Sequence, residues 1–569
     1  MEMEVQAQSI MRRIWRYKFH YIIAFPGLLL IFIFKIVPFL SALRLPFIHY
    51  NLFRGLADSP WTGWDNFRTL FGTPAFRAVL ANTLALKLTY MLVCGILAVA
   101  LALALGGIVS RWLRYGLATL FLIPYFIPSA VAAYLVQHAF SAGNMARLGI
   151  SASPLLDKSL FPLLLVMMEA VKTCGIPALL ALAAMEAKSA VSMTGADLVH
   201  HRLIPAARVA VAFVLLQLST LLATDFELLH SLLNPLVMET GDTLATFQYR
   251  TSMLQANYGL SSALWLLQFA LQFMFTVAAY LLVRRFFKED LFTGMKEKHE
   301  MVPSGGKTNI AGLFVALLYA AFLLGALYGL FIYPFTATSS AGLSVWDITG
   351  KLLMLQYGLI YWVAASICLL ITVTLAYPLT VKDLPGRGLY KGVLLAVMVM
   401  GTGVVHEYLF FKNAGMVNTI YPAAISGLFS ISSIFVLKSI FNSRFSSLKN
   451  EAAAAGKGEL HSFFCLFIPK LWKPLIGLWA LHFAVLWSSS FPSLLYINSP
   501  NLMPPLLRFK AAAMAVKTDA IAVGSAAQAL NGDPVLLQAG AVIALLPVVL
   551  LLVFRRFLTP EVLISQLRK

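Results

Sequence analysis

The chain has 24 carboxylates and 10 histidines among 569 residues, and acid–base or metal chemistry needs such groups to converge at short spacings. Three clusters come close: Glu169 with Lys172 in "MMEAVKTCG", Asp225, Glu227 and His230 in "ATDFELLH", and His406 beside Glu407 in "VVHEYLFF". Glu169 and Lys172 stand three apart on one helix face, a spacing that predicts a mutual ion pair. The other two clusters fall near the ends of apolar segments, where contact with water would account for them. Cys94, Cys174, Cys368 and Cys465 have neither paired nor ligand-like spacing, so no disulfide framework or metal site is expected. The only Gly-Lys-Thr, Gly306-Lys307-Thr308, lacks the glycine five positions earlier that a phosphate loop requires, because Met301 stands there. No catalytic set emerges, and the chain is not expected to be an enzyme or to bind a cofactor.

Polar side chains inside apolar runs call for a different explanation. A charge in hydrocarbon costs roughly 2.5 kcal/mol or more unless it faces inward. Trp265, Gln268 and Gln272 form a stripe at helical spacing. Packing or interface anchoring would explain the tryptophan; an aromatic beside amides also suits a sugar ring and its hydroxyls. With Glu169, Lys172, His406 and Trp487 they make up the candidate lining of a solute path.

The elements that must position these residues are membrane spans. Hydrophobic residues make up 60% of the chain and charged ones 12%, whereas soluble domains carry about 45–50% and about 25%. The excess lies in runs such as "HYIIAFPGLLLIFIFKIVPFL" from His20, long enough to cross a bilayer. The N-terminal "MEMEVQAQSIMRRIWRYKFH" has a basic flank, but the apolar block that follows it lacks a small-residue cleavage site, so this first run is expected to be retained as a span. Reading along the chain predicts an all-α integral membrane protein of about twelve transmembrane helices. Six are expected near 20–43, 82–108, 115–138, 160–185, 206–226 and 260–284, and six near 310–333, 354–381, 390–411, 420–441, 474–490 and 537–555.

A polar, Gly/Pro-containing stretch from Arg284 to Asn309 separates the two sets. The division expected is 1–284, a linker at 285–309, and 310–569. The formal net charge of +19 is not gathered into a nucleic-acid patch. Most lysines and arginines fall in alternate loops, which places those loops, and both termini, on the cytoplasmic side of a cell membrane.

One loop is unlike the rest. "NEAAAAGKGELHSFFCLFIPKLWKP", from Asn450, opens on alanines that favour helix in water, with Glu451 placed for the positive end of a helix dipole. Gly456 and Gly458 interrupt it. "ELHSFFCLFIP" then restarts an amphipathic segment with Phe463, Phe464 and Phe467 on its apolar side, ending at Pro469. A helix lying on lipid headgroups would read the same way.

This segment resembles the EAA loop of binding-protein-dependent ABC importer permeases of the maltose and oligosaccharide type. Glu451, Ala452 and Ala453 match the opening, Gly456 the glycine and Pro469 the end. Gly456 arrives one residue early, and Ile468 replaces the usual leucine. In "EAKSAVSMTGADLVHHRLIP", Glu186, Ala187 and Pro205 keep the family spacing. Lys188 and Ser192 stand where alanine and glycine belong; alternatively Gly195–Ala196 is the hinge, after a local deletion. "SPWTGWDNFRTLF", Asn82–Thr83, "NAGMVNTIYPAAI" and "WSSSFPSLLYINSPNLMPPLLRF" are similar to further family segments, spread over most of both halves.

The resemblance implies a type I permease fold with two homologous six-helix halves fused in one chain. It implies that 186–205 and 450–469 form coupling helices that dock into two separate cytoplasmic ATPase subunits, which bind the ATP and Mg. It also implies an extracytoplasmic solute-binding protein, membrane lipid as surroundings, and inward movement of a carbohydrate-like solute. An ion-coupled secondary transporter with twelve spans is the alternative, and would need mid-membrane coupling carboxylates and no docking loop.

Overall fold

A backbone surrounded by hydrocarbon must satisfy its own N–H and C=O groups, which leaves only helices or a closed barrel. In the computed structural model the chain is helical. It describes residues 15–51, 53–141, 144–145, 149, 153–188, 202–287, 291, 309–336, 344–381, 383–400, 404–522 and 534–567. Among these there is no strand, only the isolated bridges Ile48–Trp61 and Asn51–Gly55.

Six helices are long and apolar enough to cross a membrane: Lys18–Phe47, Pro74–Gly106, Tyr258–Phe287, Ile310–Phe331, Lys351–Thr380 and Pro534–Phe557. Four further runs are bent pairs. Arg111–Phe126 meets Ser129–Ala139 at 95°, and Arg387–Met400 meets Val404–Asn413 at 91°. Leu160–Thr173 meets Gly175–Ala187 at 48°, and Glu459–Lys470 meets Trp472–Trp487 at 68°. Counting each pair as one span gives ten, short of the twelve expected. Of the other two expected runs, Ile204–Leu218 is a shorter apolar helix, and 420–441 is split into Tyr421–Ile425 and Ile431–Arg444. Hydropathy reports an apolar run but not its bends. The sharpest bend falls at Pro128, whose ring cannot continue a helix.

The two ends of the chain are interleaved. Helix Lys18–Phe47 lies across Lys351–Thr380 so closely that a Cβ on Gly27 would come within 2.8 Å of Leu375 Cγ. In the reciprocal crossing, a Cβ on Gly312 would come within 3.3 Å of Ala104 Cα. The first long helix of each expected half therefore packs on the other half, and one continuous core runs from Ile23 to Leu567. Leu352, Leu355, Leu359 and Leu370 form an exposed apolar stripe on Lys351–Thr380, as a lipid-facing surface requires. The expected linker at 285–309 falls mostly outside the described residues.

Candidate functional site

The segment at 450–469 is an exposed tip on a buried base. Helix Ser446–Ala454 begins before the alanines, because "SSLK" carries on the helix that ends at Arg444. Glu451 thus lies near its C-terminal end, not at its start, and the expected dipole stabilisation is absent. The helix stops where Ala455 N donates to Glu451 O at 2.9 Å and Lys457 N to Ala452 O at 3.0 Å. Gly456 has φ +71°, the left-handed turn that closes such an end. Glu451 and residues 454–458 are exposed, Ala452 is buried, and Ala453 lies within the helix.

The chain returns through Glu459–His461 and a π-helical step, Ser462–Phe467. Phe463 and Phe467 are buried against Tyr377, with ring centroids at 5.1 and 5.2 Å. Phe464 points outward, against expectation, because one helical residue turns it about 100° from Phe463. Ile468 is half-buried and Pro469 exposed. Glu459 anchors the base: it accepts a 2.5 Å hydrogen bond from Tyr377 Oη, and Lys449 Nζ lies 3.5 Å away. His20 Nε2 is 3.2 Å from the same carboxylate, close enough for an ion pair but out of line for a hydrogen bond. The His20 ring stacks on Tyr377 at 5.3 Å. Sequence reasoning passed over Glu459, although a carboxylate directly after the Gly458 break was visible.

In the first segment, Glu186 and Ala187 end helix Gly175–Lys188, and Pro205 is buried at the start of Ile204–Leu218. Arg114 pairs with Glu186 at 3.2 Å. Ser192, Gly195 and Ala196 lie outside the described residues, as does the Lys188 side chain.

The intramembrane charges take other partners than expected. Glu169 pairs with Lys87 at 3.3 Å and Lys172 with Asp225 at 3.8 Å, so the Glu169–Lys172 pair is not made. Lys172 also donates to the Ser129 hydroxyl, which donates to Asp225 at 2.7 Å. Partners on neighbouring helices meet these groups more directly than one three residues away. Water does not account for the other clusters either. Buried Glu227 accepts from Ser490 N at 2.6 Å and Phe491 N at 2.5 Å, with Lys510 Nζ at 3.3 Å. Glu407 pairs with Lys35, and buried His406 stacks on Trp265 at 4.6 Å.

Trp265, Gln268 and Gln272 are buried along Tyr258–Phe287. Gln268 Nε2 donates to Leu222 O at 3.2 Å, whereas the Gln272 amide and the Trp265 N–H have no partner among the described residues. Trp487 is packed, donating to Ile543 O at 2.9 Å.

Two adjoining cavities lie inside the bundle. One, of about 1040 Å³, sits at the basic end between Thr276 and Arg284 on one side and Arg387 and Lys438 on the other. The second, of about 460 Å³, is lined by Lys35, Tyr361, Glu407, Ser430 and His482 among others. Of the sequence's candidates only Glu407, next to His406, reaches a cavity wall. Met398 and Ser432 border both spaces. Ile564 and Leu567 face the first cavity, Ser565 and Gln566 the second, so residues 564–567 stand between them. Tyr125 Oη donates to Gln566 Oε1 and Gln217 Nε2 to Leu567 O, both at 2.8 Å, while Arg444 pairs with Glu561 at 3.1 Å. Nothing in the sequence of this stretch marked it as a partition.

No protein-family model matches the chain. Protein LplB of Bacillus subtilis (strain 168) is 27% identical over 300 residues, covering 50% of this chain and 94% of that protein. The polygalacturonan/rhamnogalacturonan transport system permease protein YteP of the same organism is 26% identical over 291 residues, 48% of this chain and 90% of that one. A solved bacterial ABC transporter involved in import of the acidic polysaccharide alginate aligns with a TM-score of 0.42 and 21% identity, over 49% of this chain and 99% of that chain. The chain resembles the permeases of binding-protein-dependent ABC importers, and its 569 residues give room for two such permeases in one polypeptide.

Proposed function

We propose that the chain is the fused two-half permease of a bacterial importer that moves a carbohydrate or related polyhydroxylated solute inward by alternating access. Residues 1–284 and 310–569 are the halves, and both termini face the cytoplasm. Two separate ATPase subunits grip the segments at 186–205 and 450–469. A solute-binding protein delivers from the other side. ATP-driven closure of the ATPase pair rocks the halves, a rigid-body switch of the kind packed interfaces permit.

The observation that carries this reading is the pair of adjoining cavities, which share Met398 and Ser432 and have residues 564–567 between them. A solute path closed at one level needs two such spaces and a thin barrier that moves. The buried, unpartnered polar atoms of Trp265 and Gln272 would gain partners, water or sugar hydroxyls, if parting of the halves opened a path to them. The carbohydrate assignment is supported by the polysaccharide named for YteP.

The test is uptake of radiolabelled oligosaccharides by vesicles carrying the chain with its ATPase and binding protein. ATP-dependent accumulation is expected. Accumulation driven by a proton or sodium gradient without ATP would favour the secondary transporter, for which the Lys87–Glu169 and Lys172–Asp225 pairs are the natural coupling groups.

A further inference from the structure

Each segment proposed to dock on an ATPase leads into a helix, and after a break each helix is followed by a short one that opens on phenylalanine. In the first half the order is Ile204–Leu218, then Phe226–Leu232; in the second it is Trp472–Trp487, then Phe491–Tyr496. The longer helices have 15 and 16 residues. At 1.5 Å per residue they carry the two phenylalanines about 20 Å from the docking segments.

Phe226 and Phe491 thus hold corresponding places, and they touch, with ring centroids 4.5 Å apart. Glu227 fastens the contact. Its carboxylate accepts from Ser490 N at 2.6 Å, from Phe491 N at 2.5 Å and from the Ser490 hydroxyl, with Lys510 Nζ at 3.3 Å. The same ammonium lies 5.5 Å from the centre of the Phe226 ring. Ser490, Phe491 and Lys510 belong to one expected half and Glu227 to the other. Asp225 pairs instead within its own half, with Lys172. A buried carboxylate is costly unless partners satisfy it, and here they come from across the division of the molecule. Phe491, Pro492 and Ser493 also line the smaller cavity, so what holds their helix holds a wall of that space.

We propose that Glu227 is a latch between the halves at the end of the bundle away from the docking segments, a positioning residue whose release opens the smaller cavity to the outside. The proposal rests on the transport reading and the orientation above. Movement of the docking segments is passed along the two longer helices, parts Phe226 from Phe491, and exchanges the carboxylate's backbone partners for water.

Ser489→Cys in a Cys465→Ser background places a thiol on the cavity wall, the three other native cysteines being buried. In intact cells carrying the whole importer without solute, a membrane-impermeant thiol reagent then reads opening to the outside. Glu227→Gln keeps the size of the side chain and removes its charge; Phe491→Leu weakens the ring contact and leaves the ion pair. External labelling is expected to rise about tenfold with Glu227→Gln and about threefold with Phe491→Leu. ATP hydrolysis without the binding protein should rise in parallel. Should Glu227→Gln fail to reach the membrane, Phe491→Leu decides alone. A packing role would lower the melting temperature and leave external labelling at the wild-type level; beside normal ATP hydrolysis by the wild type, that result overturns the latch alone. Labelling that rises only in inverted vesicles overturns the latch together with the orientation. A wild-type importer that hydrolyses no ATP even with binding protein and solute overturns the transport reading and the latch's part in it.

Discussion

Glu186 and Glu451 open corresponding segments, each followed by a proline that leads back into the bundle, yet their surroundings differ. Glu186 is half-buried and held by Arg114 at 3.2 Å. Glu451 is exposed and has no ion-pair partner among the described residues. In the second segment the internal carboxylate is instead Glu459, eight residues further on and beyond the Gly456 turn, wrapped by Tyr377, Lys449 and His20. On the proposed docking role, a segment that is gripped and also moves its bundle needs a free surface and a fixed base. The second divides these tasks between two carboxylates on either side of a turn. The first has committed its opening glutamate to its own bundle.

The largest way to break this contrast is Gly456→Val. An added Cβ meets nothing within 4 Å, so the cost is backbone strain alone, about 1–2 kcal/mol for a left-handed residue and more for a β-branched one. Uptake should fall to background and the ATPase should no longer co-purify, while Gly456→Asn, which tolerates this backbone, keeps most of both. A tight-turn role without docking would leave both variants active.

Next comes Glu451→Lys. As a surface change it should shift thermal stability within about 0.5 kcal/mol, yet abolish uptake and co-purification of the ATPase. Glu459→Gln sharpens the division of tasks. It leaves Lys449 short of its counter-charge at a cost of about 1–3 kcal/mol, and uptake should fall about tenfold while the ATPase still co-purifies. The smallest effect is expected from Glu186→Gln. Its pair is partly solvated, so the change is worth about 0.5–1 kcal/mol at most, read as a melting shift of about a degree or less in a chain of this length, with uptake nearly intact.

The sequence made the helices legible because their apolar runs have no other solution in lipid, and it made the Gly456 turn legible because glycine after a helix former has a local meaning. It did not reveal where the helices bend. Nor did it pair Lys87 with Glu169, or Glu227 with Ser490, because those contacts join residues 82 and 263 positions apart. The same holds for Glu459: its partner His20 sits on the first span, which crosses to the far half at Gly27. Residues 564–567 stayed unread because a partition is a property of the two spaces it separates. Local patterns survive in sequence, whereas the choice of ion-pair partner waits for the packing.

The claim at the centre is that the exposed turn at Glu451–Gly458 is held by a separate ATPase chain. Lys457 is exposed at its tip, and of the four native cysteines only Cys465 is exposed. A Lys457→Cys variant in a Cys465→Ser background, treated with a short thiol-to-amine cross-linker in inverted membrane vesicles containing the whole importer, measures the contact. The account predicts a cross-linked product of this chain with the ATPase subunit, absent when the turn is disrupted by Gly456→Val. A position 457 that forms no such product, and is labelled by a membrane-impermeant thiol reagent added to intact cells, would contradict both the docking and the orientation.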